Sequence, residues 1–158
     1  MLLYDIISAC KTTLTNTPIL KPYITASKDI YEGVQGIENS FVKNKSKNFI
    51  ILEPKDLKIL ESPDSFNTQL APVSFEFPVL IIAGLTVDNY EKQLQKFLEF
   101  TGSIINALDN SNEFSNIAAI EKYYSGGIES FEIAQTSLML RMAYIEYIFT
   151  GNYVEGSI

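Results

Sequence analysis

The chain has no histidine and only one cysteine in 158 residues. Without histidine it lacks the commonest general base and the commonest metal ligand. Ser-His-Asp and Cys-His catalysis are thereby excluded. A single cysteine, Cys10, also excludes an internal disulfide and a cysteine-based metal cluster. No GxxxxGK[ST] loop, GxGxxG turn or EF-hand loop occurs. Basic residues are scarce as well: 12 against 19 acidic ones, for a net charge of −7, with Arg141 the only arginine. That balance argues against a protein whose main task is to grip nucleic acid. The one lysine cluster, Lys43, Lys45 and Lys47, lies in a Ser/Asn-rich stretch and reads as a solvated linker near 43–48. Long apolar runs are missing too. The longest, Phe77 to Val87, is interrupted by Pro78 and Gly84 and is too short to span a bilayer. The opening Met1-Leu-Leu-Tyr-Asp5 lacks a basic leader and places Asp5 where an apolar core should begin. The expectation is a soluble, intracellular protein with no membrane segment.

What is present suits a globular domain. The composition is 46% hydrophobic and 20% charged, and a chain of this length buries roughly 70% of its unfolded surface. A single domain over 1–158 is expected, with a loose tail near 151–158. Leu3, Ile6, Ile7, Cys10 and Leu14 recur at helical spacing and predict an amphipathic helix from Leu2 to Thr15. Cys10 lies on its apolar stripe and reads as a core residue. Asn16-Thr17-Pro18 ends this helix. A second helix is predicted over Ser27 to Val42, with Ser27 as N-cap, although Gly33 and Gly36 weaken it.

Short strands follow at Phe49 to Leu52 and Leu57 to Leu60, before the turn formers Ser62-Pro63-Asp64-Ser65. The alternation of Val73, Phe75, Phe77, Val79 and Ile81 predicts a strand to Val87. Pro78 places that strand at an edge or at a bulge. Beyond it Leu80 to Leu85 is apolar on both faces, which calls for extra cover from a helix or another subunit. Asp88 and Glu91 form a capping-box pattern for a helix ending near Asp109. Phe114 to Tyr124 reads as a strand turning at Ser125-Gly126-Gly127. Residues 130–150 fit either a strand or a helix; the Gly-Gly turn and the aromatic content favour a strand. The predicted fold class is α+β: a small, mostly antiparallel sheet with a long β-hairpin, packed against two or three helices.

Carboxylate, lysine and tyrosine chemistry remain open to such a chain. Glu76, Glu121, Glu129, Glu132 and Glu146 are candidate acids, but no spacing singles out a catalytic pair. No catalytic, cofactor-binding or metal-binding residue is assigned, and a non-enzymatic protein is expected. The more suggestive group is Tyr123, Tyr124, Tyr144 and Tyr147, since tyrosine offers a large apolar area with one polar tip at protein interfaces. The alternative, that these rings cap the sheet of a lone subunit, stays open beside it. Arg141, in an apolar stretch, needs a carboxylate partner within the subunit or across an interface.

The helix Leu2 to Thr15, the strand Val73 to Val87 running into the capped helix Asp88 to Leu108, and the late hairpin Phe114 to Phe149 together resemble the tail-completion and tail-terminator proteins of long-tailed bacteriophages. The resemblance is one of topology and covers most of the chain. It implies a homo-oligomeric ring, usually a hexamer, at the end of the tail tube or at the head–tail junction. Its partners would be tail-tube and head-connector proteins, and DNA would pass through without specific binding. The location would be the virion, assembled in the host cytoplasm. Self-association through sheet edges and tyrosine-rich strands is the corresponding expectation. The segment between Pro18 and Phe49 is longer than in the family's compact form. An unrelated intracellular protein-binding adaptor that forms a small homo-oligomer is the alternative.

Overall fold

The structure, a computed structural model, describes residues 1–24, 29–33, 48–60, 73–87, 93–134, 139–154 and 158. Helix α1 spans Leu2–Asn16. Its residues Leu2, Ile6, Ile7, Cys10 and Leu14 are all buried, because a 3.6-residue repeat gathers them on one stripe. Thr17 leaves the helical region at φ −80°, ψ 116°, as the residue before a proline is pushed to do. Its hydroxyl donates back to the Thr13 carbonyl at 2.6 Å. A 3₁₀ turn, Pro18–Leu20, then buries Leu20.

The helix predicted from Ser27 to Val42 falls mostly outside the described residues, and within them only Asp29 is helical, in a 3₁₀ turn. Ile30–Glu32 is a strand, β1, parallel to β2, Phe49–Pro54. Ile30 is β-branched and buries in the sheet core, and the backbone leaves the strand through a positive φ at Gly33. Of the predicted linker, 43–47 lie outside the described residues. Asn48 at its end is held on both sides. Its amide donates to the Tyr23 carbonyl at 2.9 Å, and its Oδ1 accepts from the Thr86 N–H at 3.0 Å.

Strands β3, Lys58–Leu60, and β4, Val73–Val87, follow; the turn formers at 62–65 lie outside the described residues. The alternation in β4 is borne out: Phe75, Phe77, Val79 and Ile81 are buried on the helical side. Pro78 is not at an edge, however, nor is β4 bulged there against its long partner. β4 lies inside the sheet, pairing without a break along 73–87 with β6, Met139–Tyr153. On its other side β2 covers 79–84 and β3 covers 74–76. Pro78 falls between those two partners. Its carbonyl accepts the Lys55 N–H at 2.9 Å on that side, and in a strand the N of a residue points the same way as its carbonyl. The missing donor is therefore aimed at the junction between β2 and β3, where no ladder bond is lost.

Helix α2 is Gln93–Asp109; the predicted cap at Asp88 and Glu91 lies outside the described residues. Phe97, Phe100, Ile104 and Leu108 face the core and are fully buried. Phe114, predicted in a strand, is instead buried in a 3₁₀ turn, Glu113–Asn116. Strand β5 begins later and runs Ile120–Ala134, straight through the predicted turn at Ser125-Gly126-Gly127. The ladder to β6 shifts register there, and Gly127 takes φ +109°. A glycine pair that permits positive φ serves a bulge as well as a turn. The hairpin connection therefore falls at 135–138, outside the described residues, and the predicted strand over 130–150 is divided between β5 and β6. The tail expected from Gly151 is also shorter. Gly151, Asn152 and Tyr153 pair with Phe75, Ser74 and Val73, and the Tyr153 ring packs tilted against Phe75 with centroids 5.9 Å apart.

The fold is α+β, with strand order β1-β2-β4-β6-β5 and β3 beside β4. All pairings but β1–β2 are antiparallel. Both helices lie on one face and enclose the main core with Phe75, Phe77, Ile81, Ile145 and Phe149. Among the described residues no helix is long and apolar enough to cross a membrane.

Candidate interaction site on the hairpin

The β5–β6 hairpin carries every candidate interface residue, but the strand period of two divides them between opposite faces of the sheet. Tyr147, Tyr123 and Arg141 point to the helices; Tyr124 and Tyr144 point away.

Tyr147 is fully buried in the subunit's own core, so it is removed from the list of contact residues. Its hydroxyl lies against the last turn of α2, within bonding range of the Ile105 carbonyl at 3.2 Å and bonded to the Asp109 carboxylate. Desolvation, then the Asp109 hydrogen bond, pushes the phenol well above its ordinary value. It is a proton-holding structural group. Tyr123 joins the same cluster. Its ring lies 4.7 Å from Phe114 and stacks on Phe149 at 5.8 Å, with its hydroxyl 3.4 Å from the Asp109 and Ser111 carbonyls. Burial, then the Asp109 charge, raises its phenol too. These rings cap the sheet of their own subunit.

Arg141 lies on β6 opposite Leu85, with its guanidinium over the Phe97 ring at 5.8 Å. Its Nε is buried and has no hydrogen-bond partner. The carboxylate expected of it within the subunit is not found among the described residues; an aromatic face stands in its place.

On the opposite face the sheet divides into two regions. At one end Lys55 pairs with Glu146 at 3.3 Å and Lys58 with Glu76 at 3.2 Å, and Ser74 donates to Asn152 at 2.8 Å. Tyr124 lies at this end, 39% exposed, beneath the Lys122 ammonium at 5.4 Å. At the other end Phe49, Ile51, Ile82 and Leu140 form a second apolar cluster, ringed by the partly buried Tyr31, Leu80, Met142 and Tyr144. Phe49 lies directly over the α-carbon of Gly84, where a β-carbon would collide with its ring. This cluster is where the sequence is apolar on both faces from Leu80 to Leu85. Sequence reasoning found Tyr144 and the two-faced segment, but not Tyr31, Phe49 or Met142. Their convergence depends on β1, β2, β4 and β6 lying in that order across the sheet.

No protein-family model matches the chain, and no curated protein sequence is similar to it.

Groups suited to catalysis do not converge among the described residues. No three of His, Cys, Asp and Glu come together as a metal ion would need. The Cys10 thiol is fully buried, and desolvation pushes it well above its ordinary value of 9.0, leaving it a poor nucleophile. A recess of about 320 Å³ opens between the start of α1 and the ends of β1 and β2, walled by Tyr4, Ile7, Leu52 and Pro54. Glu32 at its rim is paired with Lys11 at 3.2 Å. Glu53 lines the recess as well.

Proposed function

We propose that this chain is a structural assembly protein, a self-associating subunit that terminates a phage tail tube or joins it to the head. The observation that carries this reading is the second apolar cluster on the sheet face turned away from the helices. A sheet covered by helices on one side normally turns a polar face outward on the other. Here Tyr31, Leu80, Met142 and Tyr144 keep part of their surface accessible around buried Ile51 and Ile82. Apolar surface of that kind marks contact with other protein. The order α1, strands, β4, α2 and late hairpin is that of the tail-terminator resemblance. A net charge of −7 suits a ring whose lumen lets DNA pass without holding it.

Native mass measurement and sedimentation of the purified protein, alone and mixed with tail-tube protein, test the reading. A discrete ring, with six subunits as the family norm, that caps tube ends is the expected result. A strict monomer that never joins tail particles would end it.

A further inference from the structure

Arg141 has half of a binding arrangement and lacks the other half. It is the only arginine of the chain, and it lies where β6 passes beneath the first turns of α2. Its guanidinium carbon lies over the Phe97 ring, 5.8 Å from the centroid. A ring beneath a guanidinium supplies no lone pair in the plane of its N–H groups, five in a fixed fork, which still call for an acceptor. Nε is buried with no acceptor, and among the described residues no carboxylate lies within ion-pair distance. A half-buried guanidinium left in this state is costly. On the same helix, Leu94 and Leu98 border Phe97 and are 54% and 49% exposed. An arginine over an aromatic ring, with exposed leucines bordering that ring, is the composition of an interface centre.

We propose that Arg141, with the adjoining flank of α2, receives a carboxylate from a second copy of this chain. The inference rests on the self-association proposed above and names one of its contact surfaces. Charge complementarity selects the occupant. Each copy carries 19 acidic residues against 12 basic ones, so a neighbouring copy offers carboxylates in surplus. A nucleic-acid phosphate is disfavoured, because phosphate binding draws on clustered cations and this is one arginine on an acidic chain. A ring contact is heterologous, joining different surfaces of successive copies. The arginine of one subunit can therefore meet an acidic surface of the next without meeting itself.

Sedimentation of wild type, Arg141→Met, Arg141→Lys and Leu94→Glu over a matched concentration range tests the site. Met keeps an unbranched apolar chain over Phe97, and circular dichroism checks that each variant folds. Arg141→Met is expected to raise the self-association dissociation constant roughly tenfold or more. Arg141→Lys falls in between, since it keeps the charge and loses the fork. Leu94→Glu weakens association by placing a negative charge on the flank that a partner's carboxylate would approach. A folded Arg141→Met that associates within about twofold of wild type, below the tenfold step of a real hot spot, overturns the inference and leaves the oligomer reading standing. If Arg141→Met fails to fold, a Leu94→Glu variant that associates like wild type overturns it. A wild type that stays monomeric overturns the inference and the oligomer together.

Discussion

Tyr147 shows how one side chain can look like a contact residue in the sequence and be a structural pin in the fold. Its ring fills the core, while its hydroxyl bonds the Asp109 carboxylate and lies beside the Ile105 carbonyl at the end of α2. Tyr147→Phe keeps the ring and leaves those acceptors without their donor. It should cost about 1–3 kcal/mol, read as a lower urea midpoint with an unchanged slope. Gly84 is constrained differently, by the Phe49 ring lying across it. Gly84→Ala forces that ring aside and should cost about 1–3 kcal/mol, the usual penalty of overpacking. Phe49→Ala should cost about 3–5 kcal/mol by itself. In the double variant the two losses should add to less than their sum, because the collision is gone. Additive losses in a double-mutant cycle would show that the ring and the glycine do not interact.

At the scale of elements, the hairpin decides most. β5 is the outer strand of the sheet, and its ladder to β6 shifts register between Ile120 and Lys122, Ser125 and Gly127, and Ile128 and Ser130. Bulges twist a strand and break its run of outward N–H and C=O groups, which is how natural edge strands resist pairing. An edge broken in this way is a poor template for strand pairing, so the self-association proposed above is assigned to the sheet face and the flank of α2. Gly127→Ala removes the residue that tolerates φ +109° at the central bulge and should cost about 1–3 kcal/mol. Thermal unfolding would register this, and an unchanged midpoint would show that the bulge relaxes freely. The same glycine explains why the turn was misplaced in the sequence. Gly126-Gly127 permits a reversal of the chain, but β6 offers a partner on both sides of it. Continuing the ladder keeps the hydrogen bonds that a turn would forfeit. β4, by contrast, was legible from end to end, because Val73, Phe75, Phe77, Val79 and Ile81 repeat at the period of a half-buried strand.

For the molecule as a whole, the buried acids predict its response to alkali. Burial raises the Cys10 thiol and the Tyr147 phenol above their ordinary values of 9.0 and 10.0, and Tyr123 and Tyr23 are raised in the same direction. These groups hold their protons more tightly folded than unfolded. Their contribution is fully present below the unfolded values and is lost as pH rises past them. Stability should therefore be flat with respect to these groups below about pH 9 and fall above it. Denaturant midpoints measured from neutral to strongly alkaline pH would check this, and Tyr147→Phe should shallow the decline. A wild-type midpoint indifferent to alkali would contradict the burial of both groups.

The sequence by itself determined α1, β2, β4, α2 and the α+β class. Each follows from a local period or from a proline, and a period is a property of neighbours along the chain. It also determined that Cys10 is buried and that histidine chemistry is excluded. Only the tertiary structure decided that Ile30–Glu32 is a strand, that β5 runs on to Ala134, and that Tyr147 faces its own core while Tyr144 faces away. It alone decided that Arg141 lies over Phe97, with no carboxylate paired to it among the described residues. These outcomes depend on which element lies alongside which. A strand a few residues long, or a side chain with two faces to choose between, takes its place from partners that are distant in sequence.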